Sequence, residues 1–335
     1  MTGKENYLRL LSGEMPEWIP SFYGRGEGGP PHSMMVSPKI LSYHRIPGER
    51  TIDCFGVPYV STEEANGGKI PEPGYFILKD IKDWRDVIKA PDISDIDFEA
   101  DAKAELEKID RAQTAVSYDL NASTFQLLVS FMGFNEGLCA MFEEPDEVKA
   151  LLQYCSDFVA KINEICLPLY RPDIVAILDD TATWRSPFIS AEMYRDLIKP
   201  FHARQAKLGT DMGAYVTMHN CGRCEDFIED WLDMGVSAWD PAQTSNDLVG
   251  IKKKYGRRLA LCGCWDSQGR LNDPGATEAE IKQAVYDSID KFAPGGGFMF
   301  GGGFMALPGD EVTAQKNKWV REAFDEYGKD YYANH

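Results

Sequence analysis

A histidine and a cysteine two residues apart, His219 and Cys221, sit in the segment VTMHNCGRC, residues 216–224, and two further thiols, Cys262 and Cys264, sit in LALCGCWD, residues 259–266. Imidazole nitrogen and thiolate sulfur are the donors that zinc takes at about 2.0–2.3 Å, usually four at a time, with one position left open where the ion does chemistry. If both segments are extended, side chains alternate with period two. Tyr215, Thr217, His219 and Cys221 then share one face, opposite Ala214, Val216 and Met218, while Ala260, Cys262 and Cys264 share a face opposite Leu259 and Leu261. Two strand ends thereby aim a histidine and several thiols into one space. Cys264 has the softness and the strand-end position expected of a third ligand, and Cys262 lies one layer deeper, as packing. Asp180, Asp240 and Glu192 are carboxylates that could serve instead.

Other groups stand in comparable places. Asp179 and Asp180 end the apolar run DIVAILDD, and alternation lets only one of them face the same way as a catalytic group; the other is expected to cap a helix or hold a loop. Asp240 precedes Pro241 and is a candidate acid or a turn residue. The spacing CGRC at residues 221–224 also suits a redox pair at a helix start, but the βα units that flank it do not fit the small thioredoxin unit. Two glycine runs, residues 295–297 and 301–303, could admit a ligand close to the backbone, yet they do not form the GxGxxG of a dinucleotide site.

Positioning such groups requires a scaffold, and the second half of the chain supplies a regular one. DIVAILDD, MGAYVTMHNC, VSAWDP, LALCGCWD and GFMFGGG read as strands, separated by helical stretches at 190–208, 224–234, 245–255, 277–292 and 310–327. Five successive βα units imply a parallel sheet. A short strand opening the stretch Trp18–Gly29, before a flexible loop, and strand candidates at Cys54–Val60 and at Ala115–Asn121 bring the total to eight. The expected fold is therefore a single α/β domain over residues 1–335, a (β/α)8 TIM-type barrel with an N-terminal helical extension. Barrels of this kind work at the C-terminal ends of their strands. Asp179 and Asp180, His219 and Cys221, Asp240, and Cys262 and Cys264 all fall at such ends; Tyr23, Arg25, Asn121 and Trp265 stand near others and are candidates for contact with a substrate.

Composition narrows the partners. A formal net charge of −18 repels phosphate backbones and anionic lipid, which disfavours nucleic acid and membrane surfaces. No apolar run approaches the eighteen or so residues of a membrane span, and the opening MTGKENYLRLLSGE lacks the apolar core of a signal peptide, so a cytoplasmic location is expected. Eight cysteines in a chain of this kind read as reduced thiols, of which Cys54, Cys139, Cys155 and Cys166 have apolar neighbours and the look of packing residues.

Several stretches carry a resemblance. KENYLRLLSGEMPEWIP, TIDCFGVPYV, ILKDIKDWRDVIKAPDI, the VAILDD strand followed by SPFISAEMYRDLIKPF, MHNCGRCEDFIEDWLDMGVSAWDPAQ, KYGRRLALCGCWDSQG and IDKFAPGGGF together resemble the uroporphyrinogen decarboxylase superfamily over nearly the whole chain. The FGV and DIxxWRxxxKxPD segments resemble most its corrinoid-dependent methyltransferases, in particular the first methyltransferase of O-demethylase systems. The resemblance implies transfer of a methyl group from a methoxylated aromatic, or a similar small donor, to the cobalt of a cobamide carried by a partner corrinoid protein. It further implies zinc at His219 and Cys221; the residues themselves offer Cys264 as third ligand and Asp180 or Asp240 in acid or positioning roles.

Departures point to alternatives. Decarboxylases of the superfamily grip substrate carboxylates with N-terminal arginines, and only Arg25 stands in the comparable loop. Methylcobamide:thiol methyltransferases pair His-x-Cys with a cysteine in an APGCG-like motif, where this chain reads APGGG with Gly296 at the cysteine's place. The family's acidic strand end followed by Gly and Gln is here Asp179-Asp180-Thr181-Ala182-Thr183.

Overall fold

The computed structural model describes residues 1–22, 30–42, 50–62, 68–307 and 309–335. In chain order its strands are β1 (Ser33–Val36), β2 (Arg50–Ile52), β3 (Pro58–Ser61), β4 (Lys69–Pro71), β5 (Ala115–Asp119), β6 (Ile174–Leu178), β7 (Tyr215–His219), β8 (Val236–Ala242), β9 (Ala260–Gly263) and β10 (Phe298–Phe300). Seven of them form one sheet in the order β1-β5-β6-β7-β8-β9-β10, every pair parallel. An eighth stave comes from the chain around Ser21, which bridges Phe300 in parallel: Phe22 N–H donates to the Phe300 carbonyl at 3.2 Å and Phe300 N–H to that of Pro20 at 2.9 Å. With helices between the staves, this is the α/β TIM-type barrel expected from the alternation.

The barrel holds two apolar layers. Inside lie small or slender side chains, Ala115, Ile174, Ala238, Ala260, Cys262 and Met299, and from below Tyr7, Leu10 and Leu11 of the helix Gly3–Leu11 plug the N-terminal end. That helix starts with a capping box, Thr2 and Glu5 each satisfying the other's backbone N–H, a device worth about 1 kcal/mol. Outside, Val175, Ile177, Val216, Met218, Trp239, Leu261 and Phe298 face the helices. The longest of these, Pro145–Tyr170, opens on a proline and two acidic residues, which suit a helix N-terminus, and buries Leu151, Leu152, Phe158 and Ile162.

One early strand differs from expectation. Residues 54–60 do not form a barrel stave; β1 takes that place, and β3 joins β2 and β4 in a separate antiparallel sheet. Turn chemistry explains it. Asp53 accepts from the N–H groups of Phe55 and Val57 at 2.9 Å each, and Gly56 adopts φ +92°, so the chain reverses at 53–57 and pairs Ile52 with Pro58. Among the described residues no single helix is long and apolar enough to cross a membrane.

Candidate functional site

Register decides which groups meet. Leu178, His219 and Asp240 are paired in one row across β6, β7 and β8. Asp180 and Cys221 each lie two residues further along their chains, one pleat higher and on the same face. The contacts follow in two tiers: His219 Nδ1 is 3.2 Å from Asp240 Oδ2, and above it the Cys221 N–H donates to Asp180 Oδ1 at 2.7 Å. Between the tiers Cys221 Sγ lies 3.7 Å from His219 Nε2. One donor atom each from Asp180, His219 and Cys221 falls within 4.8 Å of the other two, and all three residues are half-buried.

These distances suit a metal ion. A tetrahedral zinc with sulfur at about 2.3 Å and nitrogen at about 2.05 Å separates those two donors by about 3.6 Å, close to the observed spacing. The donor set of one carboxylate, one imidazole and one thiolate leaves a fourth position for a substrate atom. Asp240 completes the arrangement from behind: by accepting from Nδ1–H it turns Nε2 toward the cluster, the usual carboxylate–histidine pairing behind a metal. Partial burial works against a charged imidazole, but the Asp240 hydrogen bond and the adjacent Cys221 outweigh it and hold His219 well above the ordinary histidine range.

The neighbouring aspartate does something else. Asp179 faces the helix layer, fully buried, where it accepts from Phe125 N–H and Gln126 N–H at 2.8 and 2.9 Å at the start of the helix Thr124–Met132. His202 Nε2 stands 3.0 Å from the same carboxylate, and Tyr194 Oη 3.1 Å from His202 Nδ1. Asp179 therefore ties β6 to two helices while Asp180 faces the barrel mouth.

The CGRC turn is braced by its neighbours. Gly222 has φ +88°, and a Cβ there would lie 2.5 Å from the Thr183 carbonyl, so only glycine lets the loops after β6 and β7 approach this closely. Gly222 N–H donates to Gln243 Oε1 at 2.6 Å; Asn246 accepts from Cys224 N–H and returns a hydrogen bond to the Gly222 carbonyl, both at 2.9 Å. Asn220 and Thr181 exchange two more, at 3.1 and 2.7 Å. Cys224 is buried, its thiol donating to the Cys221 carbonyl at 3.0 Å, and burial together with the charge of Asp180 pushes that thiol up, which disqualifies it as half of a reactive pair. Gln126, Gln243, Asn246, Asn220 and His202 were not singled out in the sequence. Gln243 and Asn246 could have been, since both follow the end of a barrel strand.

Cys264 requires a correction. Strict alternation puts it on the interior face with Cys262, but Gly263 and Cys264 have φ +121° and +56°, which ends the strand and turns the side chain into the outer apolar layer. There burial pushes its thiol up and Lys252 and Lys291 are its charged neighbours. The third donor that the structure brings to His219 and Cys221 is Asp180. Glu192 is exposed at the start of the helix Ala191–Met193 and stays apart from the cluster. Gly296 precedes β10 and packs on Met15 and Arg257 at the opposite rim, so a cysteine at that position could not join these ligands. Cys139, expected in packing, is exposed.

Beside the cluster opens a cavity of about 490 Å³ that shares Asp180 with it. Phe55, Tyr59, Phe125, Phe134 and Phe188 form much of its wall, with Phe125 and Phe188 stacked at 5.7 Å. Asn121 lines it; its amide nitrogen donates to Ser37 Oγ at 3.0 Å and to the Asp119 carbonyl at 2.9 Å. Trp265 is buried against Phe304 and lines a different hollow of about 270 Å³ with Gln243 and Gly301–Gly303. Tyr23 and Arg25 lie outside the described residues.

Comparison with solved structures finds a methyltransferase from Methanosarcina mazei, 14% identical, with a TM-score of 0.60 over 97% of this chain and 99% of that one. A xylose isomerase domain protein from Planctomyces limnophilus is 12% identical, with a TM-score of 0.35 over 76% of this chain and 99% of that one. No curated protein matches. The family model described as uroporphyrinogen decarboxylase (URO-D) matches residues 63–326, most of the chain. With its barrel and its sequence in agreement, the chain belongs to the uroporphyrinogen decarboxylase (URO-D) family.

Proposed function

We propose that this protein is a methyltransferase that takes a methyl group from a methoxylated aromatic, or a similar small methyl ether, and delivers it to the cobalt of a corrinoid carried by a partner protein. One juxtaposition carries the reading: Asp180, His219 and Cys221 converge at the barrel mouth, and Asp180 also lines an apolar cavity of about 490 Å³. The likeness to the Methanosarcina mazei methyltransferase, in fold, supports it further.

In the reaction the methyl–oxygen bond breaks with its electron pair left on oxygen, and the methyl–cobalt bond forms with a pair supplied by reduced cobalt. The released oxyanion then takes a proton from water. Its formation is the difficult part, because an alkoxide or phenolate leaves poorly. A zinc ion held by His219, Cys221 and Asp180 would supply Lewis-acid stabilisation of that oxyanion. The chain's own residues do the positioning. Asp240 fixes the His219 tautomer, Gln243 and Asn246 hold the turn that presents Cys221, and the aromatic walls orient the donor ring. On the other side of the mouth the glycines 301–303 line a second hollow of about 270 Å³.

The test is direct. Purified protein is incubated with zinc, a reduced corrinoid protein and a series of methoxylated aromatics, and methylcobalamin absorbance is followed. Formation with at least one ether is expected; none with any ether defeats the proposal. A second reading, methyl transfer from methylcobamide to a metal-bound thiol, is the weaker one: neither Gly296, before β10 at the far rim, nor the glycines 301–303 after it supply the cysteine that reading expects. Methylation of a thiol acceptor in the absence of any ether would favour it.

A further inference from the structure

The charges around the cavity beside Asp180 do not balance. Among the described residues its wall carries three carboxylates, Asp53, Asp119 and Asp180, against one lysine, Lys69. The acids come from separate elements: Asp119 closes β5, Asp180 follows β6, and Asp53 sits in the turn between β2 and β3. Two of them are held by neutral donors. Asp53 accepts from the N–H groups of Phe55 and Val57 at 2.9 Å each, and Asp180 from the Cys221 N–H at 2.7 Å and the Gln126 amide at 3.4 Å. Such hydrogen bonds steady a carboxylate without cancelling its charge. Burial lifts the Asp53 carboxyl to about 6, which still leaves it ionised at pH 7.5. With a divalent ion in the donor cluster, the Cys221 thiolate and Asp180 would balance that ion, and Asp53 and Asp119 would still outnumber Lys69.

The rest of the wall is largely carbon. Phe125 and Phe188 stack at 5.7 Å, Phe134 meets Phe188 edge-on at 4.7 Å, and Phe55 and Tyr59 add two further rings. The face of an aromatic ring is the negative side of its quadrupole, and it attracts an ammonium ion lying within about 6 Å of its centre. A primary ammonium ion has N–H groups that an apolar wall cannot satisfy. A quaternary one has none, and it meets ring faces through methyl groups that share its charge. A neutral molecule of that shape gains the apolar contacts without the electrostatic ones, and an anion meets a surplus of like charge. The volume of about 490 Å³ lies within the range of about 300–1,000 Å³ that small-molecule sites occupy.

We propose that this cavity is a binding site for a small organic cation of the quaternary ammonium class, selected over neutral and carboxylated molecules of the same size. The preference does not depend on methyl transfer and is measured by binding alone.

Calorimetric titration of the full-length protein at pH 7.5 with phenyltrimethylammonium, N,N-dimethylaniline and benzoate compares one ring bearing positive, no and negative charge. The cation is expected to bind at least about tenfold more tightly than dimethylaniline, and benzoate to bind most weakly. Asp53→Asn, which keeps an acceptor oxygen for the turn, should weaken the cation about three- to tenfold and leave dimethylaniline within about twofold; Lys69→Met should tighten the cation by a similar factor. Phe188→Ala, at a half-buried position, should weaken both. Equal or tighter binding of dimethylaniline overturns the proposal, as does failure of all three probes to bind. Tightest binding of benzoate, lost in Lys69→Met, overturns it in favour of carboxylate recognition. Cation binding that none of the three variants alters is attraction to the acidic surface at large and also defeats it. Cation preference without transfer from any ether leaves the cavity assignment standing while the transfer proposal falls; transfer from neutral ethers with no cation bound has the reverse meaning.

Discussion

The two halves of the barrel mouth are built differently. Along β6, β7 and β8 each stave end contributes a group that touches the next: Asp180 meets the Cys221 backbone, Cys221 meets His219, and His219 meets Asp240. Along β9 and β10 the corresponding ends are Gly263, an outward Cys264 and the glycines 301–303. Both halves carry cysteine at a strand end, yet only Cys221 keeps a position next to an imidazole. What separates them is backbone conformation: β7 keeps the strand geometry through His219, and the turn behind it is fixed by Gly222, Gln243 and Asn246, whereas β9 ends in two residues of positive φ. A soft ligand at a strand end counts only if the chain holds its direction for one residue more.

That contrast can be broken most decisively with the two thiols. Cys221→Ala and His219→Ala should each leave the protein without bound zinc and without transfer, while Cys264→Ala keeps both within about twofold. Elemental analysis beside the methylcobalamin assay decides it, and a Cys264→Ala protein lacking zinc would reverse the roles given to the two halves.

The adjacent aspartates sharpen the same point within one strand. Removing Asp179 leaves His202 and two helix N–H groups without their buried partner, so Asp179→Ala should lower stability by about 3–5 kcal/mol in urea unfolding. Asp180→Ala should change stability by about 1 kcal/mol or less and weaken zinc instead. Equal effects from both would erase the distinction between an outward anchor and an inward ligand.

Asp240→Asn tests the support behind the cluster. An amide in place of the carboxylate no longer fixes the His219 tautomer, and zinc affinity is expected to fall about 10–100-fold by competition with a chelator, with the melting temperature nearly unchanged. The last test concerns the turn outside the barrel and leaves zinc and transfer untouched. Because the Asp53 carboxyl is lifted by burial from 3.8 to about 6, the folded protein holds more protons than the unfolded chain between those values, and stability must fall as pH rises through that window. The loss amounts to about 2–3 kcal/mol at most. Asp53→Asn should flatten this slope; an unchanged profile between pH 4 and 6.5 would show that Asp53 is not its source.

The sequence made the second half of the barrel readable because β5 to β10 are apolar runs ended by polar or glycine residues and separated by amphipathic helices. Alternation alone also established that Asp179 and Asp180 must part company, and that His219 and Cys221 share a face. What it could not supply was register. That Asp180 meets Cys221 depends on Leu178 standing opposite His219, a fact of strand pairing with no local signature. Cys264 was misplaced because a non-glycine residue at positive φ is not announced by its side chain. The first stretch was hardest: β1 to β4 are three or four residues each, interrupted by proline and glycine, too short for periodicity to show.

The order of the staves has one more implication. All three candidate donors come from consecutive βα units, between residues 174 and 221, and the loops that separate them in sequence are modest. An ion captured there would stitch together neighbours that meet early during folding, before the distant closure between Phe300 and the chain around Ser21 is made. The reactive centre would then be assembled on a quarter of the ring, and the remaining staves would complete the vessel around it.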